Sequence, residues 1–238
     1  MPDLDTLLHL DMLRKGKKRR RLARRLGAAA KMLFGPNPIY GIEWGDPENS
    51  PPLGYMRDHF LKPYVGPNAT IVEIGPGGGR WTRYMLPARR IYAVDYHQEL
   101  LDELRSGFSR PNITFAKNSG DDFPGVPDGA ADLIFSFGCF VHLDIDIIDR
   151  YLANMRRLLK SESNVVLHYA DKTKPLARSN VGFSNNDPET MRALVLRQGY
   201  SIREEDTVTM WHSAVVRFGL PSGTPTVTPA APPCAVQR

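Results

Sequence analysis

Val72-Glu73-Ile74-Gly75-Pro76-Gly77-Gly78-Gly79-Arg80-Trp81 follows an apolar, β-branched run and reads as a strand emptying into a turn. Glycine enters left-handed backbone without steric cost, so a turn this rich in it lets something approach the bare main chain. Such a turn at the end of a strand also offers its N–H groups to a ligand.

Outward from this turn, apolar runs rich in β-branched and aromatic residues recur at 70–74, 91–94, 113–116, 132–137, 164–169, 200–208 and 211–218. Helical patterns lie between most of them, at 79–86, 97–107, 146–159 and 188–198. Asp187-Pro188-Glu189 gives the last helix a cap, a first-turn proline and a first-turn acid. Strands alternating with helices predict an α/β fold with a parallel sheet covered on both faces. No helical pattern separates the last two runs. The expectation is therefore a doubly wound, mostly parallel seven-stranded sheet that ends in an antiparallel hairpin.

The chain has 238 residues and a net charge of +5, unevenly spread. Residues 1–31 hold ten basic and three acidic side chains, so this arm carries +7 and the remainder −2. Leu22, Leu26, Ala29 and Leu33 recur at helical spacing between the basic residues. The arm, residues 1–34, reads as a helical extension, either solvated or, through 14–31, touching an anionic surface, a membrane or a nucleic acid. Lys31 interrupts the apolar stretch that a cleaved signal peptide would want. Residues 35–68 are rich in Pro, Gly and aromatics and read as a cap segment with a short helix near Tyr55–Leu61. Residues 69–220 form the predicted domain, and the Pro/Thr/Ala-rich 221–238 reads as a disordered tail. No apolar run approaches the ~20 residues of a membrane span. Cys139 and Cys234 form no disulfide framework and lack metal-ligand spacing, which fits a reducing, cytoplasmic setting.

In a doubly wound sheet the ligand lies at the carboxyl ends of the strands. A dinucleotide site wants G-x-G-x-x-G, and counting from Gly75 the third position is Arg80. The pattern here is Glu73, Gly75, Gly77, Gly79. A carboxylate at a strand end is costly to bury alone, and a pyrophosphate would repel it, whereas an ammonium group would relieve it. On these residues the chain resembles the class I S-adenosylmethionine-dependent methyltransferases, whose first motif is this acid with this glycine spacing. The resemblance spans about 69–218 and implies a Rossmann-like methyltransferase fold with S-adenosylmethionine as cofactor.

Asp95 ends Ile91-Tyr92-Ala93-Val94-Asp95, where a carboxylate accepts both ribose hydroxyls. The resemblance places Tyr96 against the adenine and Gly120 with Asp121 or Asp122 near its amino group. It sets Phe137 at the end of the fourth strand, facing donor and acceptor.

Methyl transfer to a hydroxyl needs alignment and a base. His142 suits neutral pH. Asp144 either orients it or caps the helix near Asp146, and Asp171 follows the fifth strand. Asp144 and Asp171 are also the pair that would share a divalent cation such as Mg through oxygen ligands. His168 reads as packed in the sheet, and Cys139 as packing. Ser136-Phe137-Gly138-Cys139 does not match the N/D-P-P-Y of nucleic-acid amino-methyltransferases, which argues against a nucleic-acid partner.

Tyr40 and Trp44, with Glu43 and Asp46, come from the cap, and 172–186 supplies an opposite wall. With Tyr169 they predict an acceptor site for a glycan or other small molecule. Aromatics beside carboxylates suit a sugar, and the chain is similar to small bacterial O-methyltransferases of glycans and metabolites. The competing readings are N-, carboxyl- or lipid-headgroup methylation on the same fold, and a non-catalytic ligand-binding protein.

Overall fold

The computed structural model describes residues 41–223. The basic arm, Tyr40 and the chain from 224 onward lie outside the described residues. Seven strands form one sheet: β1 Thr70–Ile74, β2 Arg90–Asp95, β3 Ile113–Lys117, β4 Ala131–Ser136, β5 Leu159–Ala170, β6 Ser201–Asp206 and β7 Ser213–Gly219. Their order across the sheet is β3-β2-β1-β4-β5-β7-β6. Strands β1 to β5 pair in parallel, and β7 runs antiparallel between β5 and β6. The last two strands are the expected hairpin, but its second strand is the inner one. That placement fits their burial, since β7 is buried almost throughout whereas β6 is only half-buried.

The helices are α1 Pro51–Tyr55, continued as a π-helical turn over Met56–Leu61, α2 Thr82–Met85, α3 Gln98–Gly107, α4 Ile145–Met155, α5 Pro175–Ser179 and α6 Pro188–Arg197. Asp187 caps α6 as its sequence predicts, accepting from the Thr190 N–H at 2.8 Å. Three boundaries differ from expectation. Helix α2 is four residues long because the glycine turn runs on through Trp81. Helix α4 ends at Met155 and β5 begins at Leu159, ahead of the expected 164, with a register shift between Ala131 and Leu133 where β5 first meets β4. Helix α5 was not anticipated, although a proline at its first turn marks it.

The two sheet faces carry separate cores, as the two-residue alternation of a strand requires. Val72, Ile74, Val94 and Leu167 pack with Ile148 and Leu152 of α4 and Leu194 of α6. Ile71, Ile91, Leu133 and Phe135 pack on the other face with Phe60, Trp81, Met85 and Leu104. Glu73 shares the second face, so an acid enters an apolar layer. The strand order reverses at β1, between β2 and β4, which opens a crevice at their carboxyl ends. Among the described residues no helix is long and apolar enough to cross a membrane.

Gly79 has φ +94°, and a Cβ there would meet Phe108 and, at 2.8 Å, the Leu104 Cδ1. It is the glycine that lets the turn pack on α3. Gly79→Ala should therefore lower stability by about 2 kcal/mol or more through overpacking and left-handed strain. A thermal midpoint equal to the parent's would refute this.

Candidate active site

A cavity of about 740 Å³ opens at the carboxyl ends of the central strands, a volume usual for a small-ligand site. Its wall changes character across the sheet. Beside β1, β2 and β3 it is formed by Gly75, Pro76, Gly77, Asp95, Tyr96, Gly120 and Asp121. Toward β5 and β7 it is formed by Trp44, Arg80, Trp81, Phe137, His142, His168, Phe183, Met210 and His212.

The first part is acidic. Gly75 and Gly77 both have positive φ, 67° and 56°, as a turn opening its N–H groups requires. A Cβ on Gly75 would lie 2.6 Å from that of Cys139, so this glycine also seats β1 on the segment after β4. Asp95 is buried, and its Oδ1 accepts the His97 N–H at 2.8 Å. Burial raises its carboxyl above the ordinary value, with the backbone N–H groups of His97 and Gly77 holding it back. Glu73 is 2% exposed behind the turn and accepts from the Thr82 hydroxyl at 2.6 Å. Burial pushes its carboxyl up to about 8, and nearby Asp95 adds to the rise. Asp121 pairs with Arg150 at 2.6 Å, and both reach the wall.

The second part is aromatic and basic. Phe137 and His168 stack face to face, centroids 3.9 Å apart. Gly138, at φ +88°, donates its N–H to His168 Nδ1 at 3.1 Å, while His168 Nε2 meets the Ser213 hydroxyl at 2.5 Å. A backbone N–H only donates, so Nδ1 is the acceptor and the proton sits on Nε2. Burial, helped by positive neighbours, drives this imidazole well below its ordinary pKa and keeps it neutral. His142 is the mirror case. Its Nδ1 lies 2.6 Å from the Gly182 carbonyl, which only accepts, so Nδ1 carries the proton and Nε2 keeps a lone pair.

The predicted residues thus divide. Gly75, Gly77, Asp95, Tyr96, Gly120, Asp121, Phe137, His142 and Trp44 come together on one wall. Glu73 lies behind it, and Gly79 packs on α3 instead of facing the cavity. Asp122 turns back to accept the Ser119 N–H at 2.6 Å. Tyr169 is buried in β5 and Asp144 is exposed at the start of α4; neither is on the wall. Asp144 occupies the cap position, although its side chain makes no capping bond.

Asp171 is also off the wall. It is 1% exposed, accepts the Thr173 N–H and hydroxyl at 3.0 and 2.6 Å, and faces Lys174 Nζ at 3.5 Å. With Asp171 satisfied by its own loop and Asp144 in solvent, the expected divalent-cation pair does not fit. Among the described residues no cluster of three or more His, Cys, Asp or Glu could hold a metal. Arg80, Trp81, His168 and His212 were not expected on the wall. Arg80 and Trp81 stand inside the glycine stretch itself, whereas His212 precedes β7 with no motif to mark it. Cys139 lies on the wall, half-buried, its thiol pushed up to about 12 by burial and unsuited to nucleophilic attack.

An acid whose folded pKa is raised costs stability once it must ionise. The cost of Glu73 begins above its ordinary 4.5 and grows until about pH 8. Glu73→Gln should thus unfold at a higher temperature than the parent at pH 8.5, and the gap should close toward pH 5. A gap that is absent, or that widens on acidification, would contradict this.

Residues 71–162 match the family described as Methyltransferase domain. No curated protein matches the sequence. Solved structures do. An S-adenosylmethionine-dependent methyltransferase from Mesorhizobium loti superposes with a TM-score of 0.59 at 16% identity, over 72% of this chain and 99% of that one. The CcbJ methyltransferase from Streptomyces caelestis gives 0.60 at 14% identity, over 75% and 100%. The glycopeptide N-methyltransferase MtfA, complexed with S-adenosyl-L-methionine, gives 0.55 at 14% identity, over 69% and 86%. Residues 71–162 thus match a methyltransferase-domain family, and the described chain shares the fold of these S-adenosylmethionine-dependent methyltransferases.

Proposed function

We propose that the protein is an S-adenosylmethionine-dependent methyltransferase that acts on a hydroxyl oxygen of a small molecule, with His142 as general base. The site fits the cofactor by charge. Glu73 and Asp95 are buried at adjacent strand tips with carboxyls raised by desolvation, the state an added cation relieves. In this reading the Gly75–Gly77 turn lies along the amino-acid end, Asp95 takes the ribose hydroxyls, and Tyr96, Gly120 and Asp121 flank the adenine. When bound, S-adenosylmethionine supplies a methyl group on a positively charged sulfur.

The chain's own task is then to place the acceptor, exclude water and remove a proton. One observation carries the base assignment: on the wall, His142 holds its proton at Nδ1 against Gly182 and leaves Nε2 free to take one. His168 has no such lone pair, because Gly138 occupies it. His168 is a strut that fixes the backbone after β4 and the plane of Phe137. Trp44, 62% exposed, and Phe183, edge-on to His142 at 5.6 Å, offer ring faces to a sugar or an aryl acceptor.

His142→Ala should lower turnover about 100-fold or more, the scale of lost base catalysis, and leave affinity for S-adenosylhomocysteine unchanged. Parent-like turnover would exclude His142 as the base. Glu73→Gln should bind S-adenosylhomocysteine at least about tenfold more weakly by calorimetry, since a charge-assisted contact is worth about 1.5–3 kcal/mol. Undiminished affinity would remove Glu73 from the cofactor site.

A further inference from the structure

Eight large apolar side chains stand well exposed among the described residues. Five of them, Trp44, Leu176, Val181, Val208 and Trp211, belong to the three segments that complete the aromatic end of the cavity. Trp44, from the cap, is on the wall. Val181 is 89% exposed and lies between the wall residues Asn180 and Phe183. Trp211 is 74% exposed and lies between the wall residues Met210 and His212. The insertion and the β6–β7 loop are held together. Lys174 Nζ donates to the Met210 and Ser213 carbonyls, each at 2.7 Å, and the Phe183 and His212 rings stand 5.3 Å apart. Each segment thus turns one side chain toward the cavity and a neighbouring apolar one toward water, at the same end of the sheet. The insertion 172–186 holds three basic and no acidic residues, and 207–212 holds no Asp, Glu, Lys or Arg.

A single exposed apolar residue is ordinary, but several around one opening mark an interaction surface. The chain that leads into it indicates the partner. Residues 1–40 run into Gly41, which lines the cavity. Lys31, the last basic residue of the arm, is ten residues earlier, and ten residues span at most about 35 Å. The +7 arm is therefore tethered within reach of the opening. We infer that this opening docks on an anionic lipid surface, with the arm's basic residues on the headgroups and Trp44, Val181, Val208 and Trp211 seated in the interface. Tryptophan suits that boundary, since its ring is apolar and its N–H polar. Apolar contact and basic attraction are each weak alone and hold a protein on a bilayer when combined. The attraction belongs to the arm, because the cap carries Glu43 and Asp46 and the latter already pairs with Arg83. A nucleic acid suits the surface less well. Valine and leucine offer no ring to a base and no donor to a phosphate, and Leu22, Leu26, Ala29 and Leu33 give the arm an apolar stripe as well. The docking does not depend on the reaction that the cavity carries out.

The test uses the full chain and two readouts, sedimentation with vesicles and quenching of tryptophan by lipids brominated in their acyl chains. The chain has three tryptophans, and Trp81 is 3% exposed, so quenching reports on Trp44 and Trp211. Phosphatidylcholine vesicles with about 30% phosphatidylglycerol should bind at least about tenfold more tightly than phosphatidylcholine alone. The brominated form of the same mixture should quench the emission. Replacing Lys17, Lys18, Arg19, Arg20 and Arg21 by Gln should remove the preference for the anionic lipid. Trp211→Ser combined with Val181→Ser should weaken binding about fivefold or more and leave the thermal midpoint unchanged, since both side chains are exposed. Failure to bind the anionic vesicles would overturn the inference. Binding without quenching, or undiminished binding of the double variant, would also overturn it, because the arm alone would then hold the lipid. So would tighter binding of a single-stranded RNA oligonucleotide than of the vesicles at about 0.15 M salt. Tryptophan emission that vesicles leave unmoved but the Gln variant shifts would assign the apolar rim to the chain's own arm and overturn it too.

Discussion

Two carboxylates buried at neighbouring strand tips set the terms for this site. Desolvating an acid is unfavourable, and Glu73 receives only a hydroxyl in return. Asp95 receives backbone N–H groups, which reduce the cost without cancelling it. The fold brings them together because β1 and β2 pair in register, Glu73 beside Ala93 and Ile74 beside Val94, so both strands end at the same level. The protein thus keeps two acids poorly compensated beside one end of its cavity, one on the wall and one behind it, and their burial favours the protonated forms until a cation arrives.

The other end is aromatic, with Arg80 at its edge. Arg80 leaves the same glycine turn that follows Glu73, and Trp81 comes next, so a single strand-to-helix connection reaches both ends of the cavity. The turn's geometry makes this feasible. Gly75 lets the segment after β4 approach, and Gly79 lets α3 approach. With both neighbours close, Arg80 stays nearly buried beside Gly45 and borders Gly138. A longer or stiffer turn would move the guanidinium away from that segment.

The fold was legible in the sequence because its signals are local. Alternation of β-branched runs with helical patterns marked all seven strands, and Asp187-Pro188-Glu189 marked the start of α6. The acidic end was legible for the same reason: Glu73, the glycines and Asp95 sit at strand ends that the pattern itself defines. The aromatic end was legible in part. Trp44 and the 172–186 segment were expected on its wall and are there, whereas Arg80 and His212 were not expected, and His212 joins the wall through packing of the insertion on the β6–β7 loop, with Phe183 against it at 5.3 Å. Asp171 shows the converse error. An acid just past β5 looks available in the sequence, yet its own loop closes over it through Thr173 and Lys174. Tyr169 fails as a wall residue by strand alternation, because it shares the buried face with Leu167.

The two wall histidines show how identical side chains take different work from their backbone partners. His142 is offered a carbonyl and His168 an N–H, so they settle as opposite tautomers. For His142, protonation at Nε2 costs nothing in that contact, because the Gly182 carbonyl accepts from Nδ1–H in either state. For His168, protonation at Nδ1 would break its bond to Gly138 and add charge to a buried site that already has positive neighbours. The distinction comes from loop placement and not from the histidines themselves. The insertion that carries Gly182 therefore sets the tautomer of His142 through its backbone alone.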